Sequence, residues 1–392
     1  AAMKKALVIG GGFAGCSATH ILSMQGGWEI DLVERNSFLG AGVRTFWKGG
    51  HPFTFGPRHF LTQNEDIYHY LKRYCPLRDC SEHQYLTYIE QDAAFYNFPM
   101  HKDDIAKMPD RDIIYQELEN AELVNKKISF SPSGAVTAGE NLFSATNLED
   151  FWISSVGTTL YSKFVENYNK KMWLVEDNKV IDDFGWSPKG VTLKEGPREC
   201  WDDAISAYPI AADGYNQYFD LATENANIFL GTTIEKYDIA NKTVVINAEK
   251  KKYDVIINTI SPDIILEGVH GELPFVGRDM ELFVLPIKEA LPENVYYLYY
   301  AGKESYTRIV EYKKLTKQNL DHPTTLLSIE YPSKNGKHYP VPLKAQIAKA
   351  KKYFDDMPDG VFSIGRAGSY DYGVDIDDCI EQAMDIVEKL KS

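Results

Sequence analysis

At 392 residues the chain is too long for one ordinary hydrophobic core, and two or three domains are expected. Charged residues at 25% and hydrophobic residues at 44% describe a globular chain, with no apolar run near the ~18 residues that suggest a membrane span. A net charge of -14 argues against broad nucleic-acid binding, so neither nucleic acid nor membrane is an expected partner.

Ala1 and Ala2 read as additions ahead of Met3, and with no leader sequence the chain is expected to be cytoplasmic. The first predicted strand, Ala6 to Ile9, runs into Gly10-x-Gly12-x-x-Gly15 and then the small residues Cys16, Ser17 and Ala18. That order spells a buried strand, a tight turn and a helix start. Gly10 allows the turn, Gly12 lets a pyrophosphate approach the backbone, and Gly15 lets helix pack on strand. N–H groups at the helix start, around Phe13 and Ala14, then face the phosphates. A second apolar strand over 29–33 ends in Glu34, where a ribose-binding carboxylate belongs. A dinucleotide site is expected, a bare glycine turn being the plain alternative. The loop from Arg35 to Thr45, with Gly40 and Gly42, suits a second close approach to a flat cofactor.

Further along, residues 55–62 are short and extended, with Arg58 in the middle, and 64–74 carry aromatic and apolar groups at helical spacing. Tyr85 to Tyr96 alternates like a strand. Residues 103–135 are polar with helical stretches and a Ser131-Pro132-Ser133-Gly134 turn. Two helices follow from Asn147, and Leu160, Phe164 and Tyr168 share a helical face, which by pattern alone reads as core. Breakers at Gly185, Pro188, Gly190, Gly196 and Pro197 predict a mobile loop over 185–200. Strands return at 228–230, 243–246 and 255–259, the last apolar throughout, as for a parallel strand buried on both faces. From 280 to 332 long aromatic strands with short connections predict an antiparallel sheet. A helix at 344–354, a strand at 361–364 and a helix from Asp377 to Lys391 suggest that the C-terminus returns to the first domain. The five cysteines include no Cys-x-x-Cys pair and no matching histidine set, so they read as reduced and no metal is expected.

Several of these stretches together resemble the flavin-dependent UDP-galactopyranose mutases. Tyr306-Thr307-Arg308-Ile309-Val310-Glu311 is similar to that family's Y-T-R-I-I-E segment. Ile329-Glu330-Tyr331-Pro332 followed by Tyr339-Pro340-Val341 resembles its E-Y-P…Y-P-V pair. Phe164, Tyr168 and Trp173 resemble its substrate-binding helix, Gly365-Arg366…Tyr370-x-Tyr372…Asp375 its C-terminal flavin segment, and residues 56–62 its G-x-H-x-F-H-T strand. The matches keep the family's order from Gly10 to Asp375. Arg58 and Leu61 replace that strand's two histidines. The loop's arginine has no clean counterpart, Lys194 or Arg198 standing nearest, and its tyrosine falls near Ile205.

The resemblance implies an α/β fold: a Rossmann-type FAD-binding domain (1–50, 207–262 and 345–392), a discontinuous helical insertion with the mobile loop (63–84 and 103–206), and an antiparallel β-sheet domain for the substrate (51–62, 85–102 and 263–344). It implies an isomerase that interconverts the pyranose and furanose forms of a UDP-sugar, UDP-galactose or a near relative, for cell-surface polysaccharide synthesis. FAD works in its reduced form with no net redox change: its N5 takes the sugar's C1, and the ring opens and recloses. A homodimer is the family's expectation. Catalytic roles fall to Arg308 and Arg278, which clamp the diphosphate bidentately, and to Arg58 and Asp375 beside the flavin. Substrate contacts fall to Phe164, Tyr168, Trp173, Tyr306, Tyr372, Lys194 and Arg198. The cofactor set is Gly10, Gly12, Phe13, Ala14, Gly15, Glu34, Arg35, Gly42, Arg58, Thr233, Arg366 and Asp375. By pattern alone, Arg308 is as well read as an exposed strand charge, Arg278 as a surface ion pair and Asp375 as an acidic helix start. Two rivals share the opening β-α-β unit: an amine-oxidase-like flavin oxidoreductase, and a non-catalytic protein resembling the GTPase escorts.

Overall fold

The computed structural model describes residues 2–121, 145–187 and 191–391; the turn expected at Ser131 to Gly134 and the breakers Pro188 and Gly190 lie outside them. A wholly parallel five-stranded sheet runs in the order Asn227–Phe229, Trp28–Val33, Lys4–Ile9, Val255–Asn258, Val361–Ser363. Its central strands are buried on both faces, by helix Phe13–Gln25 and its helical neighbours on one side and by a small antiparallel three-stranded sheet over residues 236–252 on the other, which is why Val255–Asn258 reads as an unbroken apolar run. Helix Phe13–Gln25 packs on the sheet, with Asn216–Thr223 and the C-terminal helix Ile376–Lys389 against it. The C-terminal strand pairs in register with Val255–Asn258, so the end of the chain does return to the first domain.

A second sheet of seven strands runs Tyr339–Pro340, Phe275–Leu285, Thr325–Ser333, Arg308–Glu311, Tyr297–Tyr300, Tyr85–Ile89, Ala94–Phe98. Its pairings are antiparallel except that of Tyr297–Tyr300 with Tyr85–Ile89, which is parallel. The alternating stretch from Tyr85 is thus a hairpin, turned at Glu90–Asp92 with Ala93 in the left-handed region. The segment 51–62, expected in this sheet, pairs elsewhere: His51–Phe53 bonds to Phe46–Lys48, and Phe60–Thr62 to Ile205–Pro209, which also holds Leu77–Asp79. Phe60 is fully buried in the core that joins the parallel sheet to these strands, and this burial draws the segment out of the larger sheet.

Helix Leu148–Tyr161 starts at Asn147, whose Oδ1 accepts from the Asp150 N–H at 2.9 Å. The chain continues through a π-turn at Ser162–Glu166 into helix Asn167–Trp173. Phe164 and Leu160 are buried in a separate core, with Tyr168 packed against it. Between the helix, the large sheet, the 55–61 segment and the C-terminal segment around Arg366 lies one cavity.

Candidate active site

The glycine turn is built for close approach. Gly10 has φ +94°, and a Cβ on Gly15 would lie 1.9 Å from the Gly10 carbonyl oxygen, so neither position takes a side chain without displacement. Helix Phe13–Gln25 has no side-chain cap at Gly12 and no acidic residue in its first turn, which leaves its N–H groups open to an anion. Glu34 is buried; its Oε1 accepts from the Gly11 N–H at 2.9 Å and its Oε2 from the Asn36 N–H at 2.7 Å. These bonds fix the carboxylate at the strand end while leaving lone pairs for a ribose. The Gly40 N–H bonds the Gly11 carbonyl at 2.8 Å, laying the second glycine loop over the first. Next to it, a Cβ on Gly42 would fall 2.6 Å from the Arg58 guanidinium. Arg35 and Thr233, expected among the cofactor contacts, are exposed.

The cavity beyond has a volume of about 330 Å³ and brings together Arg58, Arg278, Arg308, Arg366, Glu330 and Asp375. Arg308 grips Glu330 with Nε at 2.6 Å and Nη2 at 2.7 Å, and Arg278 donates to the same carboxylate at 2.8 Å. Glu330 is 2% exposed. Burial raises its pKa, but Arg308 and Arg278 outweigh it and hold the carboxyl down at about 2. Arg308 is thereby neither exposed nor idle: with Nε and Nη2 engaged, its Nη1 donors stay free. Arg58 donates to the Phe55 carbonyl at 2.9 Å and Arg366 to the Val374 carbonyl at 3.0 Å. Four guanidiniums face two carboxylates, so the cavity keeps a formal excess of two positive charges.

Tyr339 was not among the expected site residues, yet it stands at the centre of this group. The Arg278 guanidinium lies 4.9 Å and that of Arg366 5.2 Å from its ring centroid. Burial raises the phenol's pKa, but Arg278, Arg366, Arg308 and Arg58 together bring it down to about 8. The E-Y-P and Y-P-V stretches carried the signal for Glu330 and Tyr339. Asp375 lines the cavity and also caps helix Ile376–Lys389, its Oδ1 accepting from the Ile376 N–H at 2.8 Å, so the helix-start reading does not take it out of the cavity.

The other end of the cavity is aromatic. Phe164, Tyr168, Trp152 and Trp186 line it, with Tyr297 and Tyr299 on the sheet side. Tyr372 lines it too, against Trp173 at 5.0 Å and Trp186 at 5.1 Å; Trp173 itself stands behind this wall. His59 and Trp201, 4.8 Å apart, add a further surface that no motif signalled, as does Trp152. Tyr306 lies outside the lining, edge-on to Tyr300 at 4.8 Å. Lys194 and Arg198 also lie outside it. Lys194 bonds the Glu199 carbonyl and pairs with Asp202, while Arg198 bonds Asn97 and pairs with Asp104 at 2.8 Å. In this arrangement both charges are paired within the loop and its neighbours. The loop is anchored there: Lys194 N–H bonds the Met100 carbonyl at 2.7 Å, and Lys102 N–H the Lys194 carbonyl at 2.9 Å. Trp152 Nε1 also holds Ser187 at 2.7 Å.

Fold and site define a nucleotide-dependent α/β enzyme, with a dinucleotide cradle opening on an arginine-rich cavity. Residues 8–74 match the model of the NAD(P)-binding Rossmann-like domain, and residues 163–372, over half the chain, match that of UDP-galactopyranose mutase. The protein belongs to the UDP-galactopyranose mutase family and is an isomerase of that type, a nucleotide-sugar mutase. It is 23% identical over 408 residues to dTDP-fucopyranose mutase of Escherichia coli, covering 98% of each chain. To a probable UDP-galactopyranose mutase of Klebsiella pneumoniae it is 19% identical over 402 residues, covering 99% of this chain and 95% of the relative. Among solved structures, reduced UDP-galactopyranose mutase shares the fold at TM-score 0.77 and 15% identity, over 99% of this chain and 94% of that one. A putative protoporphyrinogen oxidase from Exiguobacterium shares it at TM-score 0.71 and 12% identity, over 99% and 98%. The fold alone therefore does not separate mutase from oxidase; the family match does.

Proposed function

We propose that the protein interconverts the pyranose and furanose forms of a UDP- or dTDP-linked galactose-type sugar, using FAD in its reduced form. The observation that carries this reading is the pair Arg308 and Arg278 on one buried Glu330, beside Arg58, Arg366 and Tyr339. An excess of buried positive charge suits a diphosphate, and a guanidinium fork pairs with its oxygens bidentately. The glycine turn, the open helix N-terminus and the fixed Glu34 fit the phosphates and ribose of FAD. When bound and reduced, the flavin supplies the nucleophile for the anomeric carbon.

The chain's own residues do the rest. Arg308 and Arg278 hold the diphosphate and neutralise the charge that develops on it as the anomeric bond breaks. Tyr168 and Phe164 pack on the nucleoside, and Tyr372 sits between that wall and the arginines. Trp186 and Trp201, carried by the anchored loop, shield the reacting sugar from water. Leu61 gives the cavity an apolar surface where the resembled strand carries histidine, which suits a sugar with a methyl in place of a hydroxymethyl group. A cytoplasmic homodimer that supplies cell-surface polysaccharide synthesis completes the proposal, following the family's pattern.

The test is a panel of UDP- and dTDP-linked galactose and 6-deoxygalactose with dithionite-reduced holoenzyme, read by chromatography for furanose product. Turnover only with reduced enzyme, and its loss in Arg308→Ala while flavin stays bound, is expected. Near-normal activity of Arg308→Ala would overturn the diphosphate role.

A further inference from the structure

His59 is the one histidine of the 55–61 segment, and it falls at a position that the resembled G-x-H-x-F-H-T pattern leaves open. It lines the cavity, is only 6% exposed, and its Nε2 is buried with no hydrogen-bond partner among the described residues. A half-turn of the ring keeps its shape and exchanges nitrogen for carbon on each edge, so a nitrogen can face the cavity whichever way the ring is set. His83, at 5.5 Å with 26° between planes, and Tyr296, at 5.5 Å with 14°, stack on the ring and hold its plane. Burial, with the charges of Arg308 and Arg78, brings its pKa down to about 3. The ring is therefore neutral near pH 7, with one donor and one acceptor. Leu61, Trp201, Tyr85 and Tyr297 line the cavity with it, Trp201 edge-on at 4.8 Å. One open hydrogen-bonding group among apolar and aromatic walls suits a neutral, hydroxylated ligand group better than a charge. The arginines serve the diphosphate and the wall of Phe164 and Tyr168 the nucleoside, which leaves the sugar.

We propose that His59 is a specificity residue for the sugar, its ring nitrogen hydrogen-bonding a hydroxyl on the hexose ring while Leu61 and Trp201 cover the apolar part beside it. A hydroxyl both donates and accepts, so it meets a neutral imidazole in either tautomer, as an anionic oxygen does not. Where the resembled strand places its two histidines, at 58 and 61, this chain has an arginine and a leucine, and its imidazole comes instead from a position between them. This inference rests on the nucleotide-sugar reading above and deepens it, giving the sugar a contact apart from the arginines that hold the phosphates.

Calorimetric titration of the oxidised, FAD-loaded enzyme tests it, with UDP, UDP-galactose, and UDP-galactose carrying fluorine in place of the hydroxyl at C2, C3 or C4, and with the dTDP series in parallel. His59→Leu should leave UDP affinity unchanged, since UDP carries no hexose, and weaken UDP-galactose or dTDP-galactose roughly 10-fold. One fluoro analogue should bind the unaltered enzyme about 10-fold more weakly than its parent, yet bind His59→Leu no more weakly than the parent does. His59→Gln, which keeps a donor and an acceptor, should recover part of the loss, and it carries the test if His59→Leu does not fold. Equal weakening of UDP and UDP-galactose would show a packing role and overturn the inference. Unchanged affinity for the hexose nucleotides would overturn it too, which is the result if a water satisfies the ring. So would a set of fluoro analogues that each lose the same in both proteins. In these cases UDP or dTDP still binds, and the nucleotide-sugar reading stands. Failure of every nucleotide to bind would overturn both.

Discussion

Tyr339 stands where four guanidiniums converge, and its phenol is tuned by them to a pKa of about 8. Below that pH it is a neutral donor in a positive cavity; above it, a tyrosinate cancels one guanidinium and offers no proton. Affinity for UDP should therefore be flat up to about pH 7 and drop ~10-fold by about pH 9. Tyr339→Phe should bind more weakly at neutral pH and lose the step. A wild-type profile without a step would count against the phenol as a ligand. Glu330 shows the opposite pull of the same charges. Its folded pKa, about 2, lies below the ordinary 4.5, so its contribution to stability is present above pH 4.5 and is lost as pH falls through 2. The size of this contribution is roughly 3 kcal/mol. Urea unfolding at pH 5 and at pH 2 should show a loss of about that much more in wild type than in Glu330→Gln, which cannot titrate. Equal losses would show that the carboxylate is not held by its arginines.

At the scale of elements, the helix starts were plain in the sequence and the bends were not. Asn147 and Asp375 announce caps because a short polar side chain before an apolar stripe satisfies open N–H groups. Gly157, inside Leu148–Tyr161, gives no such signal. It sits at φ +87° because the Glu117 side chain occupies the space a Cβ would need, 2.4 Å away, and bonds Thr159 at both its N–H and its hydroxyl. Gly157→Ala should cost about 2 kcal/mol or more through strain and this clash, seen as a lower Tm. An unchanged Tm would show that the bend relaxes freely. The loop's contacts were hidden for a similar reason. Breakers predict an irregular path, but they cannot show that Arg198 finds Asp104 and Asn97, far back in the chain. Arg198→Met should leave UDP affinity nearly unchanged and destabilise the fold by about 1–3 kcal/mol, by leaving the nearly buried Asp104 without its closest partner. A large loss of affinity with unchanged stability would return Arg198 to the substrate.

For the whole molecule, local pattern gave the β-α-β opening, the buried run at 255–258 and the aromatic strands, because each is set by near neighbours in the chain. Strand order and cavity were not legible in the same way. The parallel sheet takes strands from residues 4, 28, 227, 255 and 361, and the cavity takes arginines from 58, 278, 308 and 366. Only a motif set spanning the chain hinted that these converge. Such convergence has a thermodynamic consequence. Arg58 abuts the second glycine loop and also lines the cavity, and Arg366 joins the C-terminal segment to Tyr339 in the cavity, so both lie where the glycine loops and the cavity meet. If FAD occupies the cradle and orders these two side chains, nucleotide binding must improve, and linkage requires the reverse effect to be equal. The FAD dissociation constant, measured by fluorescence with and without saturating UDP, should fall by roughly 5- to 20-fold, within the usual range of coupling between sites. The UDP constant should change by the same factor between flavin-free and flavin-loaded protein. In Arg366→Lys the factor should shrink toward one, since an ammonium keeps the charge but loses the planar fork that spans Val374 and Tyr339. Two constants that do not respond to each other would mean that cradle and cavity act as separate sites.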